Sequence, residues 1–275
     1  MKPVLSGRSN NRDHRKICSI DGKVAFTGGV NLADEYINEK VRFGYWKDTA
    51  LMIKGEAAWS FSVLFLNMWE HLEKTKKDAR GHYEMYKPAE QYQNCGRGIV
   101  QPYTDDPYTY ENVGEHIYLN MIAAATDYIW ITTPYLIPDE QMETALSLAA
   151  KSGVDVRIIT PGIPDKKLVK ITTESHYQKL INNGVKIYEF EPGFIHAKTF
   201  LCDDKYATVG TVNLDFRSMY LHFECGAWLY ETDCISDIKR DFCETFEKCR
   251  KIDEWKTTRL QRMFYGVLEI IAPLL

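Results

Sequence analysis

The chain contains an internal repeat built on the pattern His-x-Lys-x4-Asp. The two copies start 182 positions apart and align without a gap. Over residues 14–32 against 196–214, nine of nineteen positions are identical. The shared positions include the two motifs and a Gly and an Asn downstream of each: His14, Lys16, Asp21, Gly28 and Asn31 match His196, Lys198, Asp203, Gly210 and Asn213. A chain with such a repeat is predicted to fold as two related units that share one function.

The spacing within each copy predicts a strand followed by a tight turn. Residues at i and i+2 of a strand point to the same face, so each motif His and Lys are expected to lie side by side. Asp21-Gly22 is a strong hairpin signal, and Asp203-Asp204-Lys205 is a weaker one at the same offset. The returning strands, 23–27 and 206–209, end at Gly28 and Gly210, where we expect the backbone to approach a ligand.

Two copies matter because one copy offers only one imidazole. Displacement at phosphorus needs an attacking group and a proton donor for the leaving oxygen, and two facing units would supply both. The side chains of Lys16, Lys198, Asn31 and Asn213 are expected to surround the phosphoryl oxygens and to stabilise their charge. Such a site requires no metal and no cofactor.

These residues resemble the phospholipase D superfamily, whose signature is HxKxxxxD followed by a Gly and an Asn. The resemblance implies that one His attacks phosphorus to give a phosphohistidine and that the other protonates the leaving alcohol. It assigns His14 as nucleophile and His196 as general acid, with the reverse order left open. The implied catalytic set is His14, Lys16, Asp21, His196, Lys198 and Asp203.

Within that set the two aspartates lie at turns and are expected to brace the site. The resemblance also implies an acidic residue further along each unit that orients the imidazole, since a His base needs a partner on its other nitrogen. The candidates are Asp48 and Glu224.

Longer segments are similar to the bacterial cardiolipin synthases within that superfamily. They are residues 13–23, 28–36, 133–139, 152–157 and 193–198. The similarity implies transfer of a phosphatidyl group between two phosphatidylglycerol molecules, which gives cardiolipin and glycerol. It also implies a bacterial membrane location with the catalytic part on the cytoplasmic side, phosphatidylglycerol and the lipid surface as partners, and self-association as a further option.

The chain departs from that family at its start. The first motif begins at His14, whereas the family has a sizeable part of its first lobe, and usually transmembrane helices, before this point. Residues 1–12 contain no apolar run that could be a signal peptide or a spanning helix. We therefore expect a fragment or a truncated product with an incomplete first lobe.

The alternation of apolar periods predicts an α/β fold with a mixed sheet flanked by helices, and the resemblance implies two phospholipase D-like lobes, each built in this way. A partial first lobe is expected over residues 1–95 and the second over 96–275. The pattern predicts a helix over 56–73, and the second lobe alternates helices with strands. Residues 255–275 form an amphipathic segment that would either lie in a membrane interface or dock on the second lobe.

Charge and cysteine content restrict the class of protein. A formal net charge of -4 gives no general basic field, which disfavours a nucleic-acid partner. Seven cysteines without a CxxC pair indicate a reducing compartment.

Two alternatives remain open from the sequence. A phosphodiesterase with the same chemistry would use water to hydrolyse a phospholipid or a nucleic acid. An inactive truncated fragment would act only by self-association or membrane association.

Overall fold

The structure is a computed structural model of the 275-residue chain, and it describes residues 11–73, 83–89, 96–109, 111–258, 261, 265, 266 and 268. The strands are β1 (Ile17–Ile20), β2 (Val24–Gly28), β3 (Tyr45–Lys47), β4 (Ala50–Lys54), β5 (Ile99–Asp105), β6 (Tyr128–Thr132), β7 (Asp155–Pro161), β8 (Lys186–Phe190), β9 (Gly193–Ile195), β10 (Thr199–Cys202), β11 (Tyr206–Gly210), β12 (Glu224–Tyr230) and β13 (Cys249–Ile252). The helices are α1 (Glu56–Glu73), α2 (Val113–Ala124), α3 (Glu140–Lys151), α4 (Lys167–Asn182), α5 (Phe216–Tyr220) and α6 (Ile235–Phe246), with a 3-10 turn at Tyr83–Tyr86. We call residues 11–73 the first unit and residues 96–258 the second unit.

The second unit is built on an eight-stranded mixed sheet. Its strand order is β13-β8-β7-β6-β10-β11-β12-β5. Strands β6, β7 and β8 run parallel and are connected by α3 and α4, while the other pairings are antiparallel. Parallel strands joined by helices bury both faces of a sheet, which explains the nearly continuous apolar sequence of β6 and β7. The predicted mixed α/β architecture is confirmed.

The first unit contains a three-stranded sheet in the order β1-β2-β4, and both of its pairings are antiparallel. The described residues of this unit thus contain only the antiparallel pairings of the mixed sheet that is expected for a whole lobe. The parallel strands of the second unit belong to the α/β crossover that precedes its motif. The described part of the first unit has no counterpart of that crossover.

Backbone pairing joins the two units on both sides of the molecule. Strand β3 of the first unit pairs in parallel with β9 of the second. On the other side, Asp13 forms an isolated parallel bridge with Phe223. An apolar cluster lies between the units and contains Ala25, Ile53 and Phe61 together with Ala207 and Val209. The two units therefore pack as one body with a shared core.

The helix predicted over 56–73 is confirmed with the same bounds. The strand predicted through each motif is wrong at its start, because β1 begins at Ile17 and β10 at Thr199. Each motif His and Lys instead lies in an extended segment just before the strand. In this segment the backbone N–H of each motif histidine donates to a carbonyl of the opposite unit, and the histidine carbonyl accepts a bond from the motif lysine.

The amphipathic segment predicted over 255–275 lies mainly outside the described residues. Among the helices that the structure describes, none has both the length and the apolar character that crossing a bilayer requires.

Candidate active site

The first motif histidine is held by an acid of the second unit. Nδ1 of His14 lies 3.0 Å from Oε1 and 2.9 Å from Oε2 of Glu224. Glu224 is the first residue of β12 and is fully buried, whereas the His14 side chain is 25% exposed. An Nδ1–H that donates to the carboxylate fixes the ring and leaves Nε2 as the nitrogen for a substrate.

The second motif histidine is held by an acid of the first unit. Nδ1 of His196 lies 2.7 Å from Oδ2 of Asp48, and Oδ1 of Asp48 accepts a bond of 2.9 Å from the backbone N–H of Thr49. The His196 side chain is only 8% exposed. Asp48 and Glu224, both predicted as orienting acids, thus reach the imidazoles, but each reaches the histidine of the opposite unit.

Backbone hydrogen bonds explain this crossing. The N–H of His14 donates to the carbonyl of Phe223 at 2.9 Å, and the N–H of His196 donates to the carbonyl of Lys47 at 2.7 Å. Phe223 directly precedes Glu224, and Lys47 directly precedes Asp48. The same bond therefore places the acid beside the ring in both halves of the site.

The motif lysines lie beside the histidines, Lys198 fully buried and Lys16 half-buried. Nζ of Lys16 donates to the carbonyl of His14 at 2.7 Å, and Nζ of Lys198 donates to the carbonyl of His196 in the same way. Burial lowers the pKa of Lys16, and it lowers that of Lys198 to about 7. Each ammonium also interacts with both Asp48 and Glu224. The two motifs therefore share one electrostatic environment, as the repeat predicts.

The two histidine–carboxylate pairs, His14 with Glu224 and His196 with Asp48, differ in which pKa is shifted most. Burial alone would raise the pKa of Glu224, but the attraction of His14 and the hydrogen bonds to the carboxylate lower it to about 2. Burial and the neighbouring charge of Lys198 lower the pKa of His196 to about 4, against the opposing effect of Asp48. At neutral pH a neutral His196 thus lies beside an ionised Asp48, whose pKa the His196 hydrogen bond and the Lys198 charge keep low despite burial.

The other predicted residues take different places. Asp21 and Asp203 lie in turns with positive φ angles, and the Asp203 carboxylate accepts hydrogen bonds from residues 126–128. Asn213 is buried, and its Oδ1 has no partner among the described residues. Asn31 is half-buried.

Gly28 and Gly210 lie close to a neighbouring strand. A Cβ at Gly28 would lie 2.3 Å from the carbonyl oxygen of Thr49, and one at Gly210 would lie 2.6 Å from that of Cys225. Both glycines therefore make room for the neighbouring strand.

The sequence reasoning missed Gly29 and Thr211, which occupy the same position of the repeat. The Thr211 hydroxyl donates to Oε2 of Glu224. A Cβ at Gly29 would lie 2.0 Å from Oδ1 of Asp48. The second unit thus holds Glu224 through the Thr211 hydroxyl, and the first unit leaves space for Asp48 at Gly29. Comparing the repeat position by position could have identified both residues, because they directly follow the matched glycines.

Two aromatic residues complete the surroundings. The Trp46 ring lies 5.0 Å from the His196 ring and stacks on Phe194 at 4.7 Å. The His222 ring lies 5.7 Å from that of His14, and its Nδ1 is 3.5 Å from Oε1 of Glu224. His14, His222 and Glu224 each offer one metal-ligand atom, and these atoms lie within 4.8 Å of one another. A metal ion there would compete for the atoms through which His14 and Glu224 bind each other.

The arrangement thus combines two oriented imidazoles with the amines of the buried Lys198 and the half-buried Lys16. Neutral imidazole nitrogen is a nucleophile or a proton acceptor, and imidazolium is a proton donor. Ammonium groups beside them can stabilise the oxygens of a phosphodiester. These are the functions that in-line displacement at phosphorus needs.

Comparisons with known proteins agree with this chemistry. The family model described as cardiolipin synthase, PLD-like domain matches residues 118–246. An uncharacterized protein of Streptococcus mutans is 49% identical over 99% of this chain, which covers 59% of that relative. A cardiolipin synthase of Geobacillus kaustophilus is 40% identical over 99% of this chain, which covers 54% of that relative. The chain therefore spans little more than half the length of these relatives.

The fold is also found in a solved structure. The phosphatidylserine synthase of Haemophilus influenzae superposes with a TM-score of 0.72, at 14% identity, over 99% of this chain and 73% of that one. This likeness concerns the fold alone. The chain is thus similar over nearly all of its length to proteins named cardiolipin synthase, and it carries twice the motif that is typical of the phospholipase D superfamily.

Proposed function

We propose that the chain carries the active site of a cardiolipin synthase, which moves a phosphatidyl group from one phosphatidylglycerol to a hydroxyl of a second. The observation that carries this proposal is the pair of crossed contacts, His14 with Glu224 and His196 with Asp48. Both imidazoles are oriented by carboxylates, and both lie beside a motif lysine. The relatives that are similar to this chain in sequence include proteins named cardiolipin synthase.

In the first step, Nε2 of His14 attacks phosphorus. The N–P bond forms, the bond from phosphorus to the glycerol oxygen breaks, and His196 donates a proton to that oxygen. Glu224 stabilises the positive charge that develops on the His14 ring, since it accepts the bond from Nδ1. His196 is neutral in the empty site, and an anionic phosphodiester beside it favours its protonated form.

In the second step, a hydroxyl of the second phosphatidylglycerol replaces the departed glycerol. His196 accepts the proton of that hydroxyl, the new O–P bond forms, and the N–P bond to His14 breaks. Lys16 and Lys198 stabilise the phosphoryl oxygens in both steps. The products are cardiolipin and one glycerol, and the enzyme returns to its starting state.

We also infer a two-lobed organisation and a location at the membrane. Residues 1–95 and 96–275 correspond to a partial first lobe and a second lobe, and neither requires a metal or cofactor. The site faces anionic lipid at the cytoplasmic side of a bacterial membrane, with phosphatidylglycerol as its partner. The net charge of -4 makes a nucleic-acid substrate the less favoured alternative.

The test is incubation of the purified chain with phosphatidylglycerol vesicles, followed by mass analysis of the lipids. We expect cardiolipin from the wild type and none from His14→Asn or His196→Asn. The matched control is His116→Asn, since His116 is exposed on α2 and takes no part in the site. Phosphatidic acid in place of cardiolipin would assign a hydrolase instead. A folded chain without turnover would favour the inactive-fragment alternative.

A further inference from the structure

Each motif histidine has an aromatic neighbour that precedes its orienting acid by two residues. Trp46 precedes the acid of one pair in this way, and its ring lies beside that of His196. His222 precedes Glu224 in the same way, and its ring centroid lies 5.7 Å from that of His14. The two halves of the site therefore correspond up to this position, where one has an indole and the other has a third imidazole.

The His222 ring lacks the hydrogen bonds that a buried imidazole normally forms. Its side chain is only 13% exposed, and neither ring nitrogen has a hydrogen-bond partner among the described residues. Its Nδ1 lies 3.5 Å from Oε1 of Glu224, which is too long for a good hydrogen bond. Because a buried polar atom without a partner destabilises a protein, these nitrogens indicate a ligand that would satisfy them.

The distances around Glu224 fit a metal ion. A tetrahedral zinc ion with bonds of about 2.0 to 2.1 Å holds its ligand atoms about 3.3 Å apart. Oε1 of Glu224 lies 3.0 Å from Nδ1 of His14 and 3.5 Å from Nδ1 of His222. One ligand atom of each of the three residues lies within 4.8 Å of the other two. Rotation of the His222 ring, which no hydrogen bond fixes, would close the remaining gap.

The ligand types favour zinc. Two imidazoles and one carboxylate form zinc sites that keep a fourth position open, whereas Mg²⁺ and Ca²⁺ prefer oxygen ligands. The Thr211 hydroxyl donates to Oε2 of Glu224 and fixes the carboxylate. Groups around a metal site commonly orient its ligands in this way.

The surrounding charges tolerate a cation. Asp215 interacts electrostatically with His14, His222 and Glu224, and a cation beside it would favour its ionised form. The ammonium groups of the two motif lysines oppose the cation, because both also interact with Glu224. Burial already lowers the pKa of both lysines, so either one can release its proton when a metal ion binds.

We propose that His14, His222 and Glu224 form a Zn²⁺ site that inhibits the enzyme. The ion binds Nδ1 of His14, one ring nitrogen of His222 and the Glu224 carboxylate, with water in the fourth position. The proton that Nδ1 of His14 gives up moves to Nε2 of the same ring. Nε2 then has no free electron pair, so it forms no bond to phosphorus. The inhibition rests on the proposed function, whereas the binding of the ion does not.

Binding is tested by calorimetric titration of the metal-free full chain with Zn²⁺ after its exposed thiols have been alkylated. Alkylation is needed because thiolates also bind zinc, and Cys18 and Cys243 are exposed. We expect the wild type to bind a Zn²⁺ ion that His222→Asn binds at least about tenfold more weakly. The matched control His116→Asn should bind it like the wild type, since His116 is exposed on α2. Mg²⁺ should not bind there.

A second readout needs no substitution of His222. In NMR spectra of the chain with ¹⁵N-labelled histidines, Zn²⁺ should shift the ring-nitrogen signals of two histidines. One of these two sets of signals should be missing from the spectrum of His14→Asn. Circular dichroism confirms that each variant is folded.

The inhibition is measured as cardiolipin formation from phosphatidylglycerol vesicles. Zn²⁺ should abolish the turnover of the wild type, and a chelator should restore it. His222→Asn should require at least about tenfold more Zn²⁺ for the same fractional loss. Zinc bound at the site without any loss of turnover would overturn the inhibition.

Other results would overturn the site itself. Equal affinity for Zn²⁺ in the wild type and His222→Asn would show that His222 is not a ligand. Loss of binding in His176→Asn would instead assign the ion to His176 and Glu143, which lie 3.6 Å apart. A chain without turnover would contradict the proposed function, and the titration and the NMR spectra would still decide whether the site exists.

Discussion

His14 of the first unit lies 2.9 Å from Glu224 of the second unit, 210 positions away in the chain. The pair His196 and Asp48 joins the units in the opposite direction, since this histidine belongs to the second unit and its acid to the first. Neither histidine is oriented within its own unit. A loss of register between the units would therefore disturb both imidazoles together. This coupling makes the interface between the repeats part of the active site.

The crossing predicts which pairs of substitutions interact. A double-mutant cycle on the free energy of unfolding with His14→Asn and Glu224→Gln should give a coupling of about 1 to 3 kcal/mol, because both remove one shared contact. The cycle with His196→Asn and Asp48→Asn should do the same. The same-unit combination of His14→Asn with Asp48→Asn should show a smaller coupling, because these two side chains form no hydrogen bond with each other. Equal coupling in crossed and same-unit cycles would contradict the geometry.

The repeat position of Gly29 and Thr211 predicts opposite sensitivities. Gly29→Ala should displace the Asp48 carboxylate and destabilise the chain by about 2 kcal/mol or more, since the added Cβ has no room. Thr211→Val removes the hydroxyl donor to Glu224 and should cost about 1 to 3 kcal/mol. Thr211→Ser keeps the donor and serves as the control. Urea unfolding curves measure all three, and a neutral Gly29→Ala would refute the packing argument.

The lowered pKa of His196 predicts a dependence of stability on pH. Its folded value is about 4, against 6.5 for an unperturbed histidine. Between these values the unfolded chain binds more protons, so the free energy of unfolding should fall as the pH is lowered from 6.5 to 4. His196→Asn should lose less stability than the wild type between about pH 6.5 and about pH 5. Parallel curves for the two proteins would show that His196 is not buried as a neutral ring.

The lowered pKa of Lys198 predicts an alkaline limit on catalysis. Its value of about 7 means that the ammonium is lost as the pH rises above neutral. The neutral amine cannot stabilise a phosphoryl oxygen by charge, so kcat/KM should decline above about pH 7. Lys198→Arg should have a lower maximal rate but no such decline, because a guanidinium stays protonated. An unchanged alkaline limb in Lys198→Arg would assign the limit to another group.

Much of this architecture could be predicted from local patterns. The helix over 56–73 follows from the spacing of its apolar residues, and the hairpins after each motif follow from their turn residues. The crossed pairing could not be predicted by extending the repeat. Asp48 lies 34 positions after His14, whereas Glu224 lies 28 positions after His196, so the two acids do not align.

Long-range backbone contacts determine the features of the site that sequence patterns could not predict. The pairing of β3 with β9 and the bond from His14 to Phe223 join residues far apart in the chain, and they leave no periodic signal. They also shift the motif residues out of the strands where alternation had placed them.

The most direct test of the central claim is to locate the covalent intermediate. The full chain and its variants would be mixed with phosphatidylglycerol labelled at phosphorus, quenched at alkaline pH and digested, and the labelled peptide identified. We predict label on the peptide that contains His14, accumulating in His196→Asn if the first step still proceeds slowly, and none in His14→Asn. Label on the peptide that contains His196, with His14→Asn still labelled, would contradict the assignment of His14 as the nucleophile.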